Sequence, residues 1–315
     1  MPDRVSTRSD SRPQWVYKAL LLAAPVIWGV SFVFMKNSVD VLGPATLIGV
    51  RFLLSAVLML ACFGKRIRRS LDKDHLKTGV VLGVFMFLAF WTQTIGITDT
   101  TPGKNAFLTA SYVVFVPFVF WLISLRKPGL LNIVAAFICL AGIGLVSLNG
   151  DLSIGYGDAM TLVCAVLFAF HIAFLGKYAF GRDIYTLAFM QFLVAGVLGL
   201  LLGLPTEALP RADLITPDFL GQMAYLVIGA SFLALLFQNI GQAHVPPSQA
   251  SIFLSLEAVF GVVFSVLLYG EEMSVKLVSG FVLIFVAIFI NEVVAPKLFV
   301  KRVIVAHGRQ TRDKD

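Results

Sequence analysis

The chain has 315 residues, of which 58% are hydrophobic and 14% charged, with a net charge of +7. Soluble domains carry about 25% charged residues, so there is too little polar material here to cover a water-facing surface. The positive balance does not mark a nucleic-acid binder, because the basic residues sit in short loops and at the termini, with no basic folded domain to hold them.

The apolar residues come in runs of about 20, the helix length that spans ~30 Å of hydrocarbon. A tail over 1–17 precedes the first run. That run starts near Lys18 and is too long for the apolar core of a cleaved signal peptide, so it is read as a retained helix. Charged and Gly/Pro-rich breaks divide the chain into ten segments, 18–35, 44–63, 78–97, 105–125, 130–148, 156–176, 184–204, 219–240, 248–268 and 275–295. A basic tail over 296–315 follows. The longest loops, 64–77 and 205–218, have fourteen residues each, which leaves no extramembrane domain for soluble catalysis. Cys62, Cys139 and Cys164 all fall inside apolar runs, as packing residues rather than a disulfide or metal-ligand spacing. With four histidines in the whole chain, no metal and no cofactor is expected.

Lys and Arg set the expected orientation. Twenty lie on the side of the two termini, and four (Lys36, Lys104, Arg211 and Lys276) lie in loops on the other. The positive-inside rule then puts both termini in the cytoplasm of a multi-pass protein, read as one of a bacterial inner membrane. Ten helices divide at about 149–155 into halves 18–148 and 156–295. Five is odd, so the second half enters the membrane inverted.

Two short strings support that division. Gln93-Thr94-Ile95-Gly96 is followed by Pro102, and Gln238-Asn239-Ile240-Gly241, 145 residues later, by Pro247. Both sit where one apolar segment ends and the next begins, at junctions that an inverted repeat makes equivalent. Pro102 and Pro247 are read as first-turn residues of the fourth and ninth helices. The expected fold is therefore an all-α membrane protein of ten transmembrane helices in two inverted five-helix repeats.

The sequence resembles the EamA-type branch of the drug/metabolite transporter superfamily. The matching pieces are Trp28-Gly29 with Ser31 and Phe32, Arg51-Phe52-Leu53-Leu54, Thr92 through Gly96, Thr100-Thr101, Asn105 through Thr109, Tyr112 through Pro117, Ser255 through Phe260, and Gly270-Glu271. The resemblance implies a central cavity used to move small metabolites, and export from the cell. The family usually has Pro after the Glu of the ninth helix. Ala258 stands there in this chain, so that helix is expected to run straighter at this point.

Ionisable residues inside a bilayer are costly and point to function. Glu257 falls near the middle of the ninth segment, where two readings stand: a proton-coupling or substrate-ammonium site, and a hydrogen-bonded Glu that fastens two helices. The 145-residue offset pairs it with Tyr112, which forms a polar stripe with Asn105 and Thr109, read as candidate substrate-binding residues lining a wetted cavity. Ser248, Ser251 and Ser255 form a second stripe, read as close packing. Arg51 is read as a structural cation that could also contact an anion. His171 is a second candidate for proton transfer.

Trp28 and Trp91 are candidates for stacking on a substrate, and Gln93 and Gln238 for hydrogen-bonding it. Trp15 and Trp121 are read as interfacial anchors, and Asn291 and Glu292 as interfacial polar groups. Gly79/Gly83 and Gly199/Gly203 are read as internal close-packing spacings.

The function these residues point to is a secondary transporter working by alternating access. No P-loop supports ATP drive, and neither GxSxG nor HExxH nor paired aspartates on one helix support an intramembrane enzyme. An enzyme and a channel-like facilitator remain the alternatives. A single buried arginine suits an amino acid or similar amphipathic compound better than a phosphorylated one. The partners expected are that small molecule and the lipid bilayer, not nucleic acid, with monomer and homodimer both open.

Overall fold

Hydrocarbon offers a backbone amide no water to bond, so each crossing must satisfy its own N–H and C=O groups, and helices do so. The computed structural model describes residues 13–125, 127–148, 154–178, 181–244 and 253–294, without the side chains at 124, 176, 242, 243 and 292. Pro247, Ser248, Ser251, the 149–153 loop, the side chain of Glu292 and the remainder of both tails lie outside the described residues.

The helices are α1 (Gln14–Ser38), α2 (Pro44–Ser70), α3 (Lys73–Thr98), α4 (Pro102–Ala110 continued by Tyr112–Ser124) and α5 (Leu130–Ser147). The second half has α6 (Tyr156–Tyr178), α7 (Ile184–Thr206) and α8 (Pro217–Ala224, Tyr225–Leu233 and Ala234–His244 in series). It closes with α9 (Phe253–Tyr269) and α10 (Val275–Phe289, extended by Ile290–Val294). Among the described residues eight are long and apolar enough to cross a membrane, and the described parts of α9 and α10 are shorter apolar helices. Leu122, Leu201 and Leu267 are each more than 60% exposed on the outside of the bundle, as lipid-facing residues would be.

Local signals set the helix starts. Proline occupies the first turn of α2, α4 and α8. Thr101, Asp183, Thr216 and Ser274 accept backbone N–H groups of the turns they precede. Asp72 does the same for α3, and the His75 backbone N–H, aided by the His75 ring, holds its carboxyl below the usual carboxylate range. That contribution is present at neutral pH and fades as pH falls through the depressed value.

Helices of one half pack on those of the other in a matched pattern. α2 lies antiparallel on α7, with Thr46 beside Gly203, Gly49 beside Leu200 and Leu53 beside Gly196. α5 lies antiparallel on α10 through Gly142 and Gly280. α3 packs on α6 as α8 packs on α1, and α4 on α6 as α9 on α1. These are the contacts of an inverted repeat in which the first five helices correspond in order to the last five. Gly79 and Gly83 meet Met190 and Val194 of α7, so these spacings serve internal packing.

α9 does not run as one unbroken α-helix. The helix is interrupted at Leu256 (φ −64°, ψ −11°), and α4 is interrupted 145 residues earlier at Ser111 (φ −60°, ψ −14°). In each, one N–H reaches back only three residues, Leu256 to Phe253 and Ser111 to Leu108, both at 3.3 Å. Each is a tightened, 3-10-like turn, and in α9 it forms without Pro at 258.

Asn291 also departs from expectation, being buried rather than interfacial. Pro117 has no N–H to give Val113, and Asn291 Nδ2 donates to that carbonyl at 3.0 Å. Asn132 Nδ2 in turn donates to Asn291 Oδ1 at 2.7 Å. Asn291→Leu is therefore expected to cost about 1–2 kcal/mol, read as a lower melting temperature of the purified protein.

Candidate functional site

The repeated Gln-x-Ile-Gly strings take up two tasks. The glycines sit where backbones of opposite halves meet: a Cβ on Gly96 would lie 2.8 Å from Gly157 O, and one on Gly241 3.2 Å from Tyr17 O. Gly96 also abuts Thr161, and Gly241 abuts Leu21. Residues 157 and 161 stand to 17 and 21 at an offset of 140. The repeats are thus in register at 140 for α1/α6 and at 145 for α3–α4/α8–α9. The glutamines, three residues earlier, turn inward to a central cavity.

The cavity encloses about 630 Å³ of empty space, its open mouth included. Six register-matched pairs supply most of its wall: Trp28/Phe168, Ser31/His171, Phe32/Ile172, Phe90/Leu235, Gln93/Gln238 and Tyr112/Glu257. Met35, Arg51, Met86 and Thr109 line it without a matched partner. The scaffold is symmetric and the chemistry is not.

Of the residues picked out in the sequence, Trp28, Arg51, Gln93, Thr109, Tyr112, His171, Gln238 and Glu257 are brought together here. Trp91 and Asn105 are not among the lining. Trp91 stacks on Phe87 with ring centres 5.7 Å apart. Asn105 is fully buried, donating to Gln93 O at 3.2 Å and to Thr161 Oγ1 at 2.8 Å. It ties α4 to α3 and α6. The residues the sequence reading passed over include Phe168 and Ser31, which the 140-residue register would have found as partners of Trp28 and His171.

Neighbours decide which polar groups can meet a ligand. Gln93 Nε2 donates to Thr109 Oγ1 at 3.1 Å. The position matched to Thr109 is Leu254, which has no hydroxyl, and no hydrogen bond holds the Gln238 amide among the described residues. Gln191 Nε2 donates to Leu187 O at 3.2 Å, leaving Oε1 to face His171 Nε2 at 2.7 Å. An amide oxygen only accepts, so His171 carries its proton on Nε2.

Glu257, 7% exposed, has no hydrogen-bond or ion-pair partner among the described residues. Arg51, 2% exposed, donates from Nε to Ser231 Oγ at 2.5 Å. Its guanidinium carbon lies 5.0 Å from the Phe90 ring centre and 5.3 Å from that of Phe52. Among the described residues the cavity lining therefore carries one arginine and one carboxyl group, with no ion pair between them.

One end of the bundle is closed by polar contacts between the halves. Lys104 Nζ lies 2.7 Å from Asp158 Oδ2, and Thr100 Oγ1 donates to Asp158 Oδ1 at 2.8 Å. Gly157 N donates to Asp99 Oδ2 at 3.1 Å. Glu271, after α9, accepts from Gly103 N at 2.9 Å, from Ser265 Oγ at 2.5 Å and from Thr101 Oγ1.

The model of the EamA-like transporter family matches this chain twice, over residues 16–148 and 155–292. The chain belongs to that family. Among its relatives is an uncharacterized transporter of Archaeoglobus fulgidus, 28% identical over 273 residues, covering 86% of this chain and 83% of the relative. The uncharacterized transporter YoaV of Bacillus subtilis is 25% identical, with 86% and 94% covered. A crystal structure described only as that of a protein superposes with a TM-score of 0.66 at 14% identity, covering 90% of this chain and 99% of its own, which bears on the fold alone.

This EamA-type chain is accordingly a multi-pass membrane transporter. The two family matches coincide with the two halves whose packing repeats, so the cavity lies between two copies of one unit. In the described part of this EamA protein no group of three or more His, Cys, Asp or Glu residues could hold a metal ion.

Proposed function

We propose that the chain is a proton-coupled exporter of small zwitterionic metabolites, amino acids or their relatives, working by alternating access in a cell membrane with both termini cytoplasmic. The observation that carries the reading is the pair of uncompensated opposite groups, Arg51 and Glu257, in one cavity. Arg51 suits a carboxylate, which a guanidinium can hold through two parallel bonds. Glu257 suits an ammonium. Between them, Trp28, Phe90 and Phe168 offer apolar and aromatic surface to a side chain.

A single carboxyl cannot hold a proton and an ammonium at once. Competition between them on Glu257 makes the two cargoes exchange, and an inward proton gradient then drives the zwitterion out. The matched packing of the halves supports alternating access, since exchanging their conformations would open the opposite end. The charge bias of twenty Lys and Arg against four supports the orientation, with the Glu271 end outside.

The test is counterflow in proteoliposomes with the twenty protein L-amino acids, with and without a pH gradient. Saturable counterflow is expected, and flux that rises linearly with concentration would mark a channel. Glu257→Gln is expected to remove gradient-driven accumulation entirely. If that variant accumulates substrate as the wild type does, proton coupling through Glu257 is wrong.

A further inference from the structure

We infer that Ser231 is a positioning residue for substrate recognition: it fixes Arg51 so that the guanidinium presents its free N–H groups to a carboxylate in the cavity. The inference rests on the zwitterion reading above and adds the device that makes an arginine in α2 selective.

The device is a break in the symmetry of the scaffold. Over Tyr225–Leu233 α8 is a π-helix, whereas the register-matched stretch of α3, residues 80–88, is ordinary α-helix. The wide turn reassigns hydrogen bonds. Ala234 N donates to Gly229 O, five residues back, and not to Ala230 O as an α-helix would require. The Ala230 carbonyl instead accepts Trp28 Nε1 at 2.9 Å. One residue on, Ser231 Oγ donates its only proton to Leu226 O at 2.9 Å. Its lone pairs then face Arg51, and Nε donates to them at 2.5 Å. The hydroxyl cannot rotate away without losing Leu226.

Arg51 is consequently held by one edge. A guanidinium has five N–H groups. Nε is spent on Ser231, and the four on Nη1 and Nη2 have no protein acceptor among the described residues. Phe52 and Phe90 flank the group and offer no acceptor in its plane. The matched position in α3 is Met86, which could not do what Ser231 does. α2 and α7 begin 140 residues apart, at Pro44 and Ile184, which matches Arg51 to Gln191, and Gln191 is tied to His171. Among the described residues, Arg51 is thus the lining group suited to an anion, and it gives the substrate a defined direction in the cavity.

A merely structural Ser231 would stabilise the protein without favouring one substrate over another, so the readout is a ratio. The purified transporter is titrated with L-amino acids and with the same amino acids as carboxamides, which keep the ammonium and lack the carboxylate. The wild type should prefer the acids. Arg51→Gln should lower the acid-to-amide affinity ratio by about tenfold or more, the loss of a charge-assisted pair. Ser231→Ala should lower it by about threefold to tenfold with Arg51 still present, because the anchor is loosened rather than removed. Ser231→Cys, close in volume and a poor acceptor, should act in the same direction should the alanine variant fail to fold, and Ser231→Thr should restore the ratio. A ratio that Arg51→Gln changes and neither Ser231 variant changes overturns the positioning role alone. A ratio that Arg51→Gln leaves intact, or a wild type that binds none of these compounds, overturns the zwitterion reading together with it.

Discussion

Gly199→Ala is expected to leave little folded transporter, although it adds a single methyl group. A Cβ at Gly199 would lie 2.5 Å from Gly49 N, 2.6 Å from Gly49 Cα and 2.8 Å from Ala45 O. These are backbone atoms, which no rotamer change can move, so α2 and α7 must separate. They are not free to do so. At one end Glu207 accepts Ala45 N and Thr46 N, both at 2.8 Å, and at the other Arg66 Nε meets Asp183 Oδ2 at 2.7 Å. The overpacking should cost about 3 kcal/mol or more. It is read as loss of monodisperse protein and a lower melting temperature in detergent. Gly221→Ala is the control, since nothing lies within 4 Å of a Cβ there and the change should be neutral or slightly stabilising. A Gly199→Ala protein melting within about 2 °C of the wild type would show that this contact yields.

The same clamp bears on the mechanism. α2 and α7 are joined at both ends and touch backbone to backbone between them, so in the proposed alternating-access cycle the pair is expected to move as one unit. α1, α3, α4, α6, α8 and α9 line the cavity together with Arg51 of α2, and α4 and α9 carry the matched interruptions at Ser111 and Leu256 immediately before Tyr112 and Glu257. Motion about those turns would carry a cavity side chain with it on each side.

The crossings were legible because hydrocarbon imposes one length on every segment, and the repeat was legible from Gln93 and Gln238. The site was legible wherever polarity is costly: Arg51, His171 and Glu257 are conspicuous in apolar runs, and all three reach the cavity. Trp91 was misleading for a simple reason. It lies two residues from Gln93, about 200° around a helix, and so faces away when Gln93 faces in. Asn105 shares a face with Thr109 and Tyr112, but its Nδ2 is taken up by Gln93 O and Thr161 Oγ1.

The π-helical turn of α8 left no mark in the sequence, because Tyr225 to Leu233 is an apolar run like those of the α-helical spans. Phe168 was hidden by the change of register from 140 to 145, which a single offset cannot follow. Glu271 was noticed in the sequence only beside Gly270, as part of the family likeness. Its task depends on α4, far away in the chain.

That task makes Glu271→Ala the second large prediction. The carboxylate belongs to the second half and sits on the first turn of α4, in the first half, where the amides of a helix start favour an anion. It takes three donors there, Gly103 N, Thr101 Oγ1 and Ser265 Oγ. Gly270 makes the approach possible, turning the chain in the left-handed region at φ +76° as α9 ends. The halves cannot part at this end without breaking the contact to α4. Hydrogen bonds to charged groups contribute about 1.5–3 kcal/mol each, so losing them should shift the population toward the state open at this end by about tenfold or more. The readout is a cysteine at Ser31, a cavity residue, labelled by an impermeant maleimide applied from the Glu271 face. Gly103→Ala should act alike, since its Cβ would lie 2.5 Å from Glu271 Oε2 and evict the carboxylate. Alanine is also the better helix former, so weakening of α4 cannot account for that result. Labelling that rises in neither variant would mean that Glu271 braces a part of the bundle that never opens, and that access from this face is controlled by Lys104 and Asp158 instead.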